Sequence, residues 1–258
     1  MFLERIIASV DRRVDALKPQ TAELVADLPR APAVRSLTHA LRVAAQAQGV
    51  GVIAECKHRS PSKGWLVDRY EPRQQADRYQ AAGAAGISVL TEPEYFAGAM
   101  DHLRAVRQTV QLPVLCKDFI RDPLQLVQAR AAGADAALLI VRIIDDPGRL
   151  AELRAAARGL GLEVLVEIHH DGELDRALAL EPDLLGVNNR DLDTFETHLE
   201  FSERIADRVP QQLVKVSESG IGTPADVAKI RGWGYQAVLV GESLMRGGRL
   251  LEQMPAWP

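Results

Sequence analysis

The chain has 258 residues, of which 47% are hydrophobic and 26% charged. That balance supplies enough apolar surface to offset chain entropy, which excludes global disorder. A formal charge of −4 excludes nucleic-acid binding through bulk positive charge but leaves room for a local basic pocket.

Two cysteines, Cys56 and Cys116, are too few for a disulfide framework and lack metal-type spacing, so a reducing, cytoplasmic setting is expected. Met1–Arg5 carries charge where a secretory leader would be apolar, and Ala256-Trp257-Pro258 holds no prenylation signal. No apolar run approaches the roughly 18 residues of a membrane span, so no membrane partner is expected.

In chain order, residues 1–49 predict helices over Leu3–Leu17, Thr21–Leu28 and Leu37–Gln48, broken at Pro19, Pro29 and Pro32. This extension is expected to cap one end of the main fold or to shape a site. Short apolar, β-branched runs then recur over Val50–Cys56, Gly86–Thr91, Pro113–Lys117, Ala136–Val141, Glu163–Ile168, Leu184–Asn188, Leu213–Ser217 and Ala237–Gly241. Their starts lie 21 to 36 residues apart, enough for a strand, a helix and two loops. Most are apolar on both faces, as parallel strands covered on both sides must be.

Helical periodicity between them predicts helices over Pro72–Ala82, Met100–Thr109, Pro123–Ala132, Pro147–Arg158, Gly172–Leu180, Phe195–Asp207 and Pro224–Gly232. Asp122-Pro123, Asp146-Pro147 and Thr223-Pro224 each put a capping side chain before a proline. Gly83, Gly133, Gly161 and Gly234 stand where a left-handed residue closes a helix. Eight such units predict a (β/α)8 TIM barrel, with residues 1–258 as one domain and 1–49 as an N-terminal helical extension. An open doubly wound sheet alternates in the same way, but no G-x-G-x-x-G follows the first strand.

Barrel active sites form at the C-terminal ends of strands. Here those ends read Glu55-Cys56-Lys57, Lys117-Asp118, Glu167-Ile168-His169, Asn188-Asn189-Arg190-Asp191, Glu218-Ser219-Gly220 and Gly241-Glu242-Ser243. Strand alternation turns Glu55 and Lys57 to one face and sends both cysteines to the helical layer, as packing residues. Two lysines near Glu55, Glu167 and Glu218 suit acid–base work on an anion, although a structural ion-pair ring would use the same residues.

Ser219-Gly220 and Gly241-Glu242-Ser243 follow the seventh and eighth strands, where barrels commonly bind phosphate. There the Glu242 charge is expected to point away. The long segment His58–Glu71, with Ser60, Lys63 and Trp65, reads as a binding loop or an irregular connection. His169-His170 could suggest a metal pair, but adjacent strand residues point apart, and no metal site is expected.

The segments Glu55–Gly64, Leu90–Phe96, Val114–Ile120, Val164–Glu167, Gly186–Leu192, Glu218–Ile221 and Val240–Met245, in this order, resemble the indole-3-glycerol-phosphate synthase family. The resemblance spans nearly the whole chain, and Glu55–Gly64 is its most specific part. It implies a barrel lyase of tryptophan biosynthesis that closes a ring on 1-(2-carboxyphenylamino)-1-deoxyribulose 5-phosphate, without a cofactor. It assigns Lys117 as general acid and Glu167 as general base or proton shuttle. Lys57, oriented by Glu55, would meet the substrate carboxylate together with Arg190. Asn188 and Glu218 would hold the ring nitrogen and hydroxyls. Ser60, Ser219, Gly220, Gly241 and Glu242 would form the phosphate site, and Phe96 and Phe119 the apolar pocket.

Position 242 departs from the resemblance, since many members carry Ser there. Some members are fused to a second barrel, an isomerase; this chain is expected to carry one activity, as a monomer. A Schiff-base aldolase and a non-catalytic ligand-binding barrel are the competing readings.

Overall fold

In the computed structural model, which describes residues 2–256, eight parallel strands close into a barrel. They are β1 Gly51–Cys56, β2 Gly86–Leu90, β3 Val114–Lys117, β4 Ala136–Ile140, β5 Glu163–Ile168, β6 Leu184–Asn188, β7 Val214–Glu218 and β8 Ala237–Val240. Each pairs with its sequence neighbours. The sheet closes where β1 meets β8, with Gly51 opposite Ala237 and Ala54 opposite Val240. The expected bounds hold to within a residue, because strands buried on both faces leave an unbroken apolar signature. The readings of Met1, Trp257 and Pro258 fall outside the described residues.

Strand parity organises the interior. The alternation that sends Glu55, Lys117 and Glu167 into the barrel also sends Ile53, Leu115 and Leu165 inward beneath them. Cys56 and Cys116 take the opposite parity and are fully buried. Burial pushes the Cys116 thiol up to about 12 and the Cys56 thiol higher still, so both are inert packing groups.

The outer helices follow the punctuation. Asp122, Asp146 and Thr223 accept backbone N–H bonds at the starts of helices Pro123–Ala131, Pro147–Gly159 and Pro224–Gly232. Gly83, Gly133, Gly161 and Gly234 all have positive φ. Two expected helices are shorter than their periodicity suggested. Gly172–Leu180 is a 3₁₀ turn, Asp171–Glu173, followed by a helix over Leu174–Leu178. Phe195–Asp207 contains a helix only over Glu200–Ala206. Upstream of it, Asp191 Oδ1 accepts bonds from the Asp193 and Thr194 amides, and Thr197 bridges back to Arg190. This side-chain-closed turn leaves Phe195 at φ +62°.

The N-terminal extension covers both ends of the barrel. Helix α1, Phe2–Leu17, lies over the C-terminal mouth. Ser9 and Arg12 reach Glu94, and Arg13 grips Asp118. After α2, Thr21–Asp27, helix α3, Leu37–Gln48, closes the opposite end. Ser36 and the Thr38 amide bond Glu163 at the start of β5, and Leu37 and Leu41 are fully buried. Each of these leucines contributes about 1.5–3 kcal/mol of apolar burial. Gly51 and Gly86 stand beside them with no Cβ, which lets α3 seat this close.

Candidate active site

The C-terminal mouth opens into a cavity of about 520 Å³. Glu55, Lys57, Ser60, Phe96, Lys117, Phe119, Glu167, Asn188, Arg190, Glu218, Ser219, Gly220, Gly241 and Glu242 all line it. Their sequence positions span most of the chain. Strand ends bring them together.

At the floor, Lys117 Nζ donates to Glu167 Oε2 at 2.8 Å and stands 3.4 Å from Glu218. Burial alone would lower the lysine pKa; the carboxylates of Glu167, Glu218 and Glu55 outweigh it and hold the ammonium charged. Burial pushes Glu167 upward, but Lys117 and then His169 pull it well below the usual range. Glu218 goes the other way. Its burial, followed by the neighbouring charge of Glu167, raises it well above an ordinary glutamate. Both Glu218 carboxyl oxygens are buried without a hydrogen-bond partner among the described residues. Such a group is ready to donate to or accept from a bound molecule. The site therefore holds an ammonium, a carboxyl group pulled below the usual range and one pushed above it within a few ångströms, set apart by their surroundings.

Beside them, Lys57 Nζ donates to Glu55 Oε1 at 2.5 Å. Two glycines make these arrangements possible. A Cβ on Gly186 would overlap the Glu218 carboxylate, and one on Gly241 would overlap that of Glu55. Gly241, expected at the phosphate, thus also makes room for Glu55.

The rim after β7 and β8 carries the polar groups. Ser219 and Gly220 both have positive φ, +65° and +77°. For the serine this costs about 1–3 kcal/mol, and it turns the loop backbone into the cavity. The Glu242 carboxylate is not turned away. It stays at the lining, 3.4 Å from Arg190 and 3.7 Å from Arg246, and these cations offset its charge. Arg190 also donates to Ser62 at 2.8 Å. Ser62 belongs to the His58–Glu71 segment, where a short hairpin pairs Arg59–Ser60 with Gly64–Trp65. Ser60 is buried and accepts from the Lys63 amide, while Trp65 is 59% exposed beneath Arg59. Asn188 accepts from the Arg190 amide.

The opposite wall is apolar. Phe96 and Phe119 pack at 6.0 Å between ring centroids. Helix α1 adds Phe2, Leu3 and Ile6, and Phe2 meets Phe195 edge-on at 5.1 Å. Among the described residues, no group of three His, Cys, Asp or Glu side chains is placed to hold a metal.

The sequence model described as indole-3-glycerol phosphate synthase matches residues 3–254. An indole-3-glycerol phosphate synthase of Chloroherpeton thalassium is 41% identical over 251 residues, covering 96% of each chain. Proteins of the same name match from Magnetococcus marinus, 44% identical over 96% of this chain and 94% of the relative, and from Rhodopirellula baltica, 46% identical over 90% and 88%.

The chain belongs to the indole-3-glycerol phosphate synthase family. By that membership it is an enzyme, a carboxy-lyase. Reading the strand ends of this family member left out Phe2, Leu3, Ile6, Leu192 and Phe195, which line the cavity from α1 and the β6 loop. It placed His169 at a strand end but weighed it only as a metal ligand. His169 is buried against Glu167, whereas His170 points to the surface beside Asp191. The signal for His169 was present in the sequence: two residues beyond Glu167, it has the same strand parity.

Proposed function

We propose that this chain is an indole-3-glycerol-phosphate synthase acting on 1-(2-carboxyphenylamino)-1-deoxy-D-ribulose 5-phosphate. Lys117 carries this reading: a buried ammonium within reach of Glu167 and Glu218, facing an apolar wall. The aromatic carbon bearing the carboxylate attacks the ribulose ketone, and Lys117 gives its proton to the oxygen that becomes hydroxyl. Lys57, oriented by Glu55, holds the carboxylate with Arg190 until CO₂ leaves and its electron pair restores the ring. Glu167 then takes a proton from the ring-closing carbon chain while the hydroxyl leaves as water on a proton from Lys57, and the indole forms. Glu218 and Asn188 hold the ring nitrogen and the hydroxyls. Ser60 and the loop amides from Ser219 to Gly220 and Gly241 to Glu242 receive the phosphate. Phe96 and Phe119 line the apolar pocket for the anthranilate ring.

A Schiff-base lysine must be neutral to attack, and three carboxylates hold Lys117 charged, which disfavours Lys117 as the nucleophile of an aldolase; borohydride with a sugar phosphate would trap an adduct if Lys57 served instead. As proposed, the enzyme works in the cytoplasm, as a monomer, on a phosphorylated small molecule. Mixing protein with this substrate should yield indole-type fluorescence and CO₂, unaffected by a chelator. Tight binding with no turnover by folded protein would instead favour a binding protein.

A further inference from the structure

We propose that His169 is a positioning residue for Glu167 and keeps a proton between its ring and that carboxylate. The inference rests on the reading of Glu167 as general base. Nδ1 of His169 lies 3.0 Å from the Arg190 carbonyl oxygen, and Nε2 lies 2.8 Å from Glu167 Oε1. A carbonyl oxygen only accepts, so Nδ1 carries a hydrogen. Nε2 then faces a carboxylate oxygen, which also accepts when ionised. Two lone pairs in this buried spot would repel, so a second proton sits between Nε2 and Oε1, on one atom or the other.

The other carboxylate oxygen of Glu167 takes the Lys117 ammonium. Glu167 is therefore held from both sides, and only the Lys117 side opens on the cavity. The His169 side chain is fully buried and does not line the cavity, so it acts through Glu167. Its backbone is fixed in turn, since its N–H donates to the buried Glu173 at 2.7 Å. The titratable groups grouped around the pair are Lys117 from β3, Glu218 from β7 and Glu173 from the turn after β5.

Two measurements on the full chain test this. In histidine-labelled protein, NMR should show a strongly downfield ring-proton resonance that disappears in both His169→Gln and Glu167→Gln. In steady-state kinetics, His169→Leu should lower kcat about 10- to 100-fold with little change in KM, the usual loss when an orienting partner is removed. His169→Gln, whose amide nitrogen can still donate to Oε1, should recover most of that kcat.

The proposal is overturned by a wild-type spectrum without the resonance, by a leucine variant of normal kcat, or by a glutamine variant no better than leucine. Wild-type protein that shows the resonance but does not turn over the substrate sinks the functional reading and leaves the pairing standing. Turnover without the resonance does the reverse.

Discussion

The guanidinium of Arg13 holds both carboxylate oxygens of Asp118, at 3.1 and 2.7 Å, and Asp118 directly follows Lys117. A helix far upstream in sequence is thereby fastened one residue from the proposed acid. Among the described residues, Arg13→Ala leaves the buried Asp118 with Thr91 and the Phe119 amide as hydrogen-bond partners. It should cost about 2–4 kcal/mol, somewhat less than the roughly 3–5 kcal/mol of a fully buried broken pair, since the Arg13 side chain is 22% exposed. As α1 loosens, the wall of Phe2, Leu3 and Ile6 opens and KM should rise. Thermal melts and steady-state kinetics check both, and a lower Tm with unchanged KM would show that the wall does not bind substrate.

Lys117→Met should lower kcat about 10³-fold with a modest change in KM, because it removes proton donation in the transition state. Single-turnover assays are the check. Normal turnover removes Lys117 from the chemistry.

Gly241→Ala sets a methyl group against the Glu55 carboxylate. Since Glu55 holds Lys57, kcat should fall as well as substrate affinity. A rise in KM alone would mean that Glu55 yields and only the phosphate is crowded. Gly186→Ala should disturb Glu218 in the same way, and comparing the two variants separates the carboxylates.

Burial, then the charge of Glu167, holds Glu218 protonated at pH values where an ordinary glutamate is ionised. Raising the pH strips that proton and puts a second negative charge beside Glu167, in a cavity proposed to take an anion. kcat/KM should therefore fall with rising pH through this ionisation. Glu218→Gln is neutral at every pH and should flatten that limb. An unchanged limb assigns it to another group.

Glu242→Gln removes a negative charge from the proposed phosphate rim and frees Arg190 and Arg246 from it. KM for a phosphorylated substrate should fall several-fold, most clearly at low ionic strength. A higher KM would mean that the carboxylate serves chiefly to hold Arg190 in place.

The barrel and the strand-end residues were legible because both obey short-range rules: two-faced apolar runs, proline after a cap, glycine at a helix end. The apolar wall was not. Phe2, Leu3 and Ile6 belong to a stripe that reads like any helix packed on a core, and it takes long-range contacts such as Arg13–Asp118 and Ser9–Glu94 to say where that helix docks. Phe195 misled in the opposite sense, because its spacing matches a helix that the Asp191 turn prevents from forming. Glu242 was expected to turn outward because Arg190, which comes 52 residues earlier, could not be seen beside it, although Arg246 stands one helical turn away.

The closing of the sheet between β1 and β8 has a consequence for biosynthesis. Glu55 and Lys57 leave the ribosome early, yet the strand that pairs with theirs on one side, and the Gly241 that leaves Glu55 its space, are made almost two hundred residues later. A nascent chain that has not yet released the eighth strand can form helices and neighbouring strand pairs, but it has no closed ring and no finished carboxylate–lysine set. A truncated product lacking β8 is therefore expected to carry Lys117 and Glu167 without a closed barrel to aim them.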